Sequence, residues 1–181
     1  MFQPGELVVY GSTGVCRVEE VAQPDVTGAD RKRLYYRLKP LQQDGVIYTP
    51  VENNGKVPIR PVITETEAEK LIDLIPNIRA EAYHGTTLQA LAQHYQNAVR
   101  THDCRDLLEL LRSIYVKRQQ AEAQNRRLGM VDERFMKQAE RLLYGELSAA
   151  LGIPEEEVEP YIAQRIERGR KAGSAGKKAC E

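Results

Sequence analysis

Along residues 1–62 the apolar positions fall in short blocks separated by turn-forming residues, the spacing of strands. Leu7 to Tyr10 and Val15 to Val21 flank Gly11-Ser12-Thr13-Gly14, whose two glycines supply the positive φ of a tight connection. The polar stretch 22–33, AQPDVTGADRKR, predicts a loop or long hairpin tip. LYYRLKPL then predicts a strand, QQDG a turn and VIYTPV another strand. Pro50 has no N–H to give to a ladder, so it places that last strand at an edge or ends it. The prediction is a small barrel-like sheet of four or five short strands.

From Thr64 the period lengthens. Thr64 and Glu67 have the spacing of a capping box, Ala68, Leu71, Ile72 and Ile75 make a helical stripe, and Pro76 follows it. A second helix starts near Thr86 or Thr87, with Leu88, Leu91, Ala92, Tyr95 and Val99 at three- and four-residue steps. Asp103 is placed to cap a third helix, whose stripe is Leu107, Leu108, Leu111, Ile114 and Tyr115. Asp132 is placed to cap a fourth, with Phe135, Ala139, Leu142, Leu143 and Leu147, closed by Gly152. Pro154 opens a short acidic helix. The small, polar composition of 167–181 predicts a disordered basic tail. The expected class is therefore α+β: a β-rich module over 1–62, an all-α bundle over 63–166, and the tail.

Charge adds one local feature to this frame. Lys plus Arg and Asp plus Glu are 26 each, so no global field draws the chain to a polyanion. Between 117 and 141, however, seven basic residues (Lys117, Arg118, Arg126, Arg127, Arg134, Lys137, Arg141) meet four acidic ones. Arg134, Lys137 and Arg141 share a helix face. A basic end of the bundle suits a phosphate backbone, and an ordinary solvated helical hairpin accounts for the same charges. Neither a bilayer-length apolar run nor a secretory signal is present, and the three cysteines are widely spaced. The expectation is a cytoplasmic protein with reduced thiols and no membrane partner.

Chemistry is hard to place. His94 and His102 lie two helical turns apart, too far for one metal, and there is no paired-Cys spacing. Cys16 reads as a core residue. The acidic run Glu155–Glu157 reads as carboxylates in a first helical turn, and no phosphate loop is present. No cofactor is implied, and an enzyme is the weak reading.

Three segments now bear on family. FQPGELVVYGSTGVCRVEEV, YYRLKP and IYTPVEN, followed by DCRDLLELLRSIY and DERFMKQAERLLYGELSAAL, resemble the CarD/CdnL family of bacterial transcription regulators over roughly residues 2–160. The N-terminal module of that family is shared with the transcription–repair coupling factor. The resemblance implies a non-enzymatic factor whose Tudor-like, SH3-like barrel docks on the β subunit of RNA polymerase by extending a sheet. It further implies that the helical domain contacts promoter DNA and stabilises the open complex. On this chain the polymerase-contacting positions would be Pro24, Asp25, Val26, Tyr48 and Pro50. Pro24 and Tyr48 stand where well-studied members carry arginines. The DNA-contacting positions would be Leu88, Arg112, Lys117, Arg118, Arg126, Arg127, Arg134 and Lys137. Leu88 aligns near a tryptophan wedge of the family; this chain has no Trp, and by its spacing Leu88 reads as bundle core. A monomer is expected. The reading from a different class is a protein–protein adaptor that uses only the sheet module, with the bundle structural or dimerising.

Overall fold

A computed structural model describes residues 1–25, 30, 32–52 and 56–177. The chain forms two compact units, Met1–Val62 and Ile63–Glu181.

The first unit is one antiparallel sheet of β1 (Leu7–Tyr10), β2 (Gly14–Ala22), β3 (Tyr35–Pro40), β4 (Ile47–Pro50) and β5 (Ile59–Pro61). The strands lie in the order β4-β3-β2-β1-β5. Alternation sets its two faces: Tyr36 and Leu38 of β3 turn inward with Val8, Cys16 and Val18, while Arg37 and Lys39 turn outward. The N-terminus closes the core from below, with the Phe2 N–H donating to the Tyr36 hydroxyl at 3.0 Å and the two rings 5.9 Å apart.

A single 3-10 turn, Gly11–Thr13, joins β1 to β2. Gly11 is required twice over: its φ is +45°, and a Cβ there would lie 2.7 Å from Val57 Cγ1. The close approach lets the Gly11 N–H reach the Pro58 carbonyl at 2.9 Å, which brings β5 alongside β1.

The small barrel-like sheet that strand spacing predicts is, among the described residues, an open one. Among the described residues β4 and β5 remain its two edges. Pro50, Pro58 and Pro61 deprive these short strands of donors with which they could pair further.

The second unit is helical: α1 (Glu65–Leu74), α2 (Leu88–Arg100), α3 (Cys104–Ala123), α4 (Met130–Leu151) and α5 (Glu155–Lys177). The α1 capping box is complete, with Thr64 Oγ1 accepting from the Glu67 N–H and the Glu67 carboxylate accepting from the Thr64 N–H. Asp103 caps α3 through the N–H groups of Arg105 and Asp106. Gly152 ends α4 in the left-handed conformation. Buried Leu107, Ile114, Phe135, Leu143, Leu147 and Val158 centre the core. Each fully buried side chain of this kind contributes about 1.5–3 kcal/mol.

Three expectations are corrected here. Asp132 does not cap α4, which begins two residues earlier behind Gly129; Asp132 is buried in the bundle instead. Tyr115 leaves the core stripe of α3, being 47% exposed, and Leu110 is buried in the core alongside Leu107 and Leu108. The acidic helix is not short, because α5 runs unbroken to Lys177. It does so despite Pro160, and is tied to α1 by Arg165, whose guanidinium forks onto Asp73 at 2.7 and 2.9 Å and reaches Glu69 at 2.9 Å. That hydrogen bonding holds the Asp73 carboxyl below its ordinary value. No helix among the described residues is long and apolar enough to cross a membrane.

Candidate functional site

On the outward face of the first unit, strand register lays side chains in rows across three strands. Glu20, Arg37 and Tyr48 are cross-strand neighbours, and Ala22, Tyr35 and Pro50 form the next row. A bulge at Glu19 interrupts β2, and the Glu19 carboxylate pairs with Arg37 at 3.0 Å. Beyond the end of β2, Pro24 and Asp25 meet Tyr35, Arg37 and Tyr48 around a surface cavity of about 290 Å³.

The structure thus brings together Pro24, Asp25 and Tyr48, positions 24 residues apart in sequence, and places Pro50 one row away on the edge strand. Tyr48 is 42% exposed, a large amphipathic ring on a strand that is an edge of the sheet among the described residues. Val26 lies outside the described residues. Sequence reasoning missed Arg37: it directly faces Tyr48 on the adjacent strand, so a guanidinium stands beside this tyrosine after all. Its signal was the outward position in YYRLKP, between buried Tyr36 and Leu38.

Residues 2–63 match the family model described as CarD-like/TRCF RID domain. The sheet module is a CarD-like RID domain. This match supports an RNA polymerase-interacting, transcription-associated protein. No curated protein matches the chain. The RID match covers the whole cross-strand array and ends where the helical unit begins.

In the helical unit the eight expected residues separate into groups. Arg126 and Arg127 are exposed in the α3–α4 connection, and Arg134 and Lys137 are exposed on α4. A local backbone motif sets the first pair. Asn125 adopts a left-handed φ of 53°, the Arg126 N–H returns to the Ala121 carbonyl at 2.8 Å, and the Asn125 N–H returns to Glu122 at 3.0 Å. This is a Schellman closure, and it projects both arginines from the end of α3. Arg134 lies with its guanidinium carbon 4.8 Å from the Phe135 ring centre. Arg118 is exposed but already pairs with Glu122 at 3.0 Å.

Lys117 does not join this set. Its ammonium turns into the bundle and pairs with Asp132 at 2.8 Å, with the side chain only 15% exposed. Arg112 also turns inward and lines a cavity between helices, its Nε buried with no hydrogen-bond partner among the described residues.

Leu88 is the opposite correction: its spacing predicts core, yet it is 72% exposed. As the first residue of α2 it has no preceding helical turn against which to pack, and the buried stripe starts at Leu91. Met130, 88% exposed at the start of α4, is a second apolar side chain in the open that the sequence did not single out.

Proposed function

We propose that the protein is a transcription regulator that docks on the β subunit of RNA polymerase through the β2–β3–β4 face, and contacts promoter DNA through its helical unit. Docking would pair a strand of the partner with the β4 edge and seat a polar side chain among Asp25, Arg37 and Tyr48. Arg126, Arg127, Arg134 and Lys137 would meet phosphates, and exposed Leu88 would serve as the apolar element at a base step, stabilising the open complex. The observation that carries the reading is Tyr48 on the edge strand β4 facing Arg37 on the adjacent β3, opening onto Pro24 and Asp25. A chain of zero formal net charge gains little from long-range attraction to DNA, so polymerase docking supplies the effective concentration.

The test is capture of the isolated β lobe by the full chain and by Tyr48→Asp and Arg37→Glu variants. Each variant is expected to weaken binding at least about tenfold, equivalent to about 1.4 kcal/mol. Unchanged affinity in both would place docking elsewhere. A triple charge reversal at Arg126, Arg127 and Arg134 should retain polymerase binding and lose the effect on open-complex lifetime. If that lifetime is unaltered, the adaptor reading takes its place.

A further inference from the structure

Among the described residues of the helical unit, Met130 at 88% and Leu88 at 72% are the most exposed large apolar side chains, well ahead of Tyr115 at 47%. One scattered apolar side chain on a surface is ordinary. Met130 differs in its neighbours. Arg126 and Arg127 precede it, projected from the end of α3 by the closure at Asn125. Arg134 follows one helical turn on, on the same face of α4, and Lys137 lies a turn beyond that. From 126 to 137 these four exposed cations meet one exposed carboxylate, Glu133, because Asp132 is buried and paired with Lys117.

An uncovered thioether beside arginines has the composition of an interface, in which Met and Arg are both enriched. The sign of the charge around it selects a polyanion as the partner. Methionine is unbranched and polarisable, so it settles against irregular apolar surfaces without demanding one shape. It is also among the side chains that DNA-binding proteins insert at base steps. Arg134 links this patch to the helix that carries Leu88. Its guanidinium carbon lies 4.8 Å from the centre of the Phe135 ring, and that ring meets Tyr95 of α2 edge-on at 5.5 Å. Leu88 begins α2 about two turns before Tyr95.

We propose that Met130 is a second apolar contact to promoter DNA, laid against a base or sugar face while Arg126, Arg127 and Arg134 hold phosphates around it. The proposal rests on the reading that the helical unit meets DNA, and adds to Leu88 a contact that neither periodicity nor charge singles out.

The thioether supplies its own probe. Hydrogen peroxide transfers one oxygen to the sulfur, giving the sulfoxide and water, and access governs the rate. Oxidation of the full chain is followed by mass spectrometry alone, with RNA polymerase, and with polymerase on promoter DNA. Met136, half-buried on the same helix, is the reference. Promoter DNA is expected to slow Met130 oxidation at least about fivefold and to leave Met136 unchanged. Met130→Gln, a surface substitution, should shorten the open-complex lifetime and retain polymerase binding, and Met130→Leu should preserve both. Unprotected Met130 on the promoter overturns the proposal, as does a wild-type lifetime in Met130→Gln. Protection by polymerase alone overturns it too, and assigns the patch to a protein partner. The charge reversal at Arg126, Arg127 and Arg134 separates the failures. If it abolishes the lifetime effect while Met130 stays unprotected, the DNA reading stands and this contact falls; if it changes nothing and Met130 is unprotected, both fall.

Discussion

Tyr95 of α2 donates a 2.7 Å hydrogen bond to Oδ1 of Asp132 on α4, and the Lys117 ammonium of α3 reaches the same oxygen at 2.8 Å. Tyr95 is fully buried and Asp132 is 3% exposed, so a carboxylate inside the bundle is held by two donors from two other helices. Burial, and then the hydrogen bond and charge of Asp132, raise the Tyr95 phenol and keep its proton in place to donate. The three helices joined here also bear Leu88, Arg118 and Arg134. One polar joint therefore fixes the relative setting of the surfaces proposed to meet DNA.

Removing Asp132 should be far more damaging than removing a surface carboxylate. Asp132→Ala strands the Lys117 charge and the Tyr95 hydroxyl, a loss of about 3–5 kcal/mol. Asp132→Asn keeps one acceptor and should cost less. Urea midpoints of the two variants measure the difference, and equal midpoints would contradict the assigned pairing.

Glu146, in the LLYGEL segment, is a second buried carboxylate. It accepts from the Ile63 N–H at 3.1 Å and from the Cys104 thiol at 3.0 Å. Glu146→Gln retains an oxygen for Ile63, whereas Glu146→Ala leaves that N–H unmet at about 1–3 kcal/mol. The alanine variant should melt below the glutamine variant in calorimetric scans.

Gly11→Ala should destabilise the RID domain from two directions. The left-handed φ costs an L-residue about 1–2 kcal/mol, and the new Cβ would press on Val57 at 2.7 Å. A fall in stability with preserved helical circular dichroism is expected, and an unchanged midpoint would rule out the close approach.

Alkaline stability should report on Cys16. Burial pushes its thiol from 9.0 up to about 11, so the folded state holds that proton more tightly than the unfolded chain. Its contribution is fully present below pH 9 and is lost as pH rises through 11, on the order of 2–3 kcal/mol. Cys16→Ala should show a shallower decline across that window, measured as unfolding free energy against pH.

Where the sequence was legible, the determining contacts were short-range. The Thr64–Glu67 box, the Asp103 cap and the Gly152 terminus each depend on residues within one turn, and each formed. Asp132 misled because an aspartate ahead of an apolar stripe looks like a cap, while its partners lie 37 and 15 residues away. Lys117 and Arg112 counted as surface charge for the same reason: what turns them inward is tertiary. Leu88 fits the periodicity of α2, but periodicity says nothing about the uncovered first residue of a helix. In the sheet the strands were readable and the edge at Pro50 followed from its chemistry, but the Arg37–Tyr48 neighbourhood required the register of β3 against β4.

The edge strand β4 is four residues long and ends in proline. Only alternate residues of an edge strand turn their N–H and C=O groups outward, so the partner can gain very few ladder bonds here. In the proposed docking, affinity from the backbone would thereby be rationed, and recognition would fall to the side chains of Arg37 and Tyr48. The same brevity protects the molecule from itself: a template this short can greet one visiting strand without nucleating a stack of its own copies.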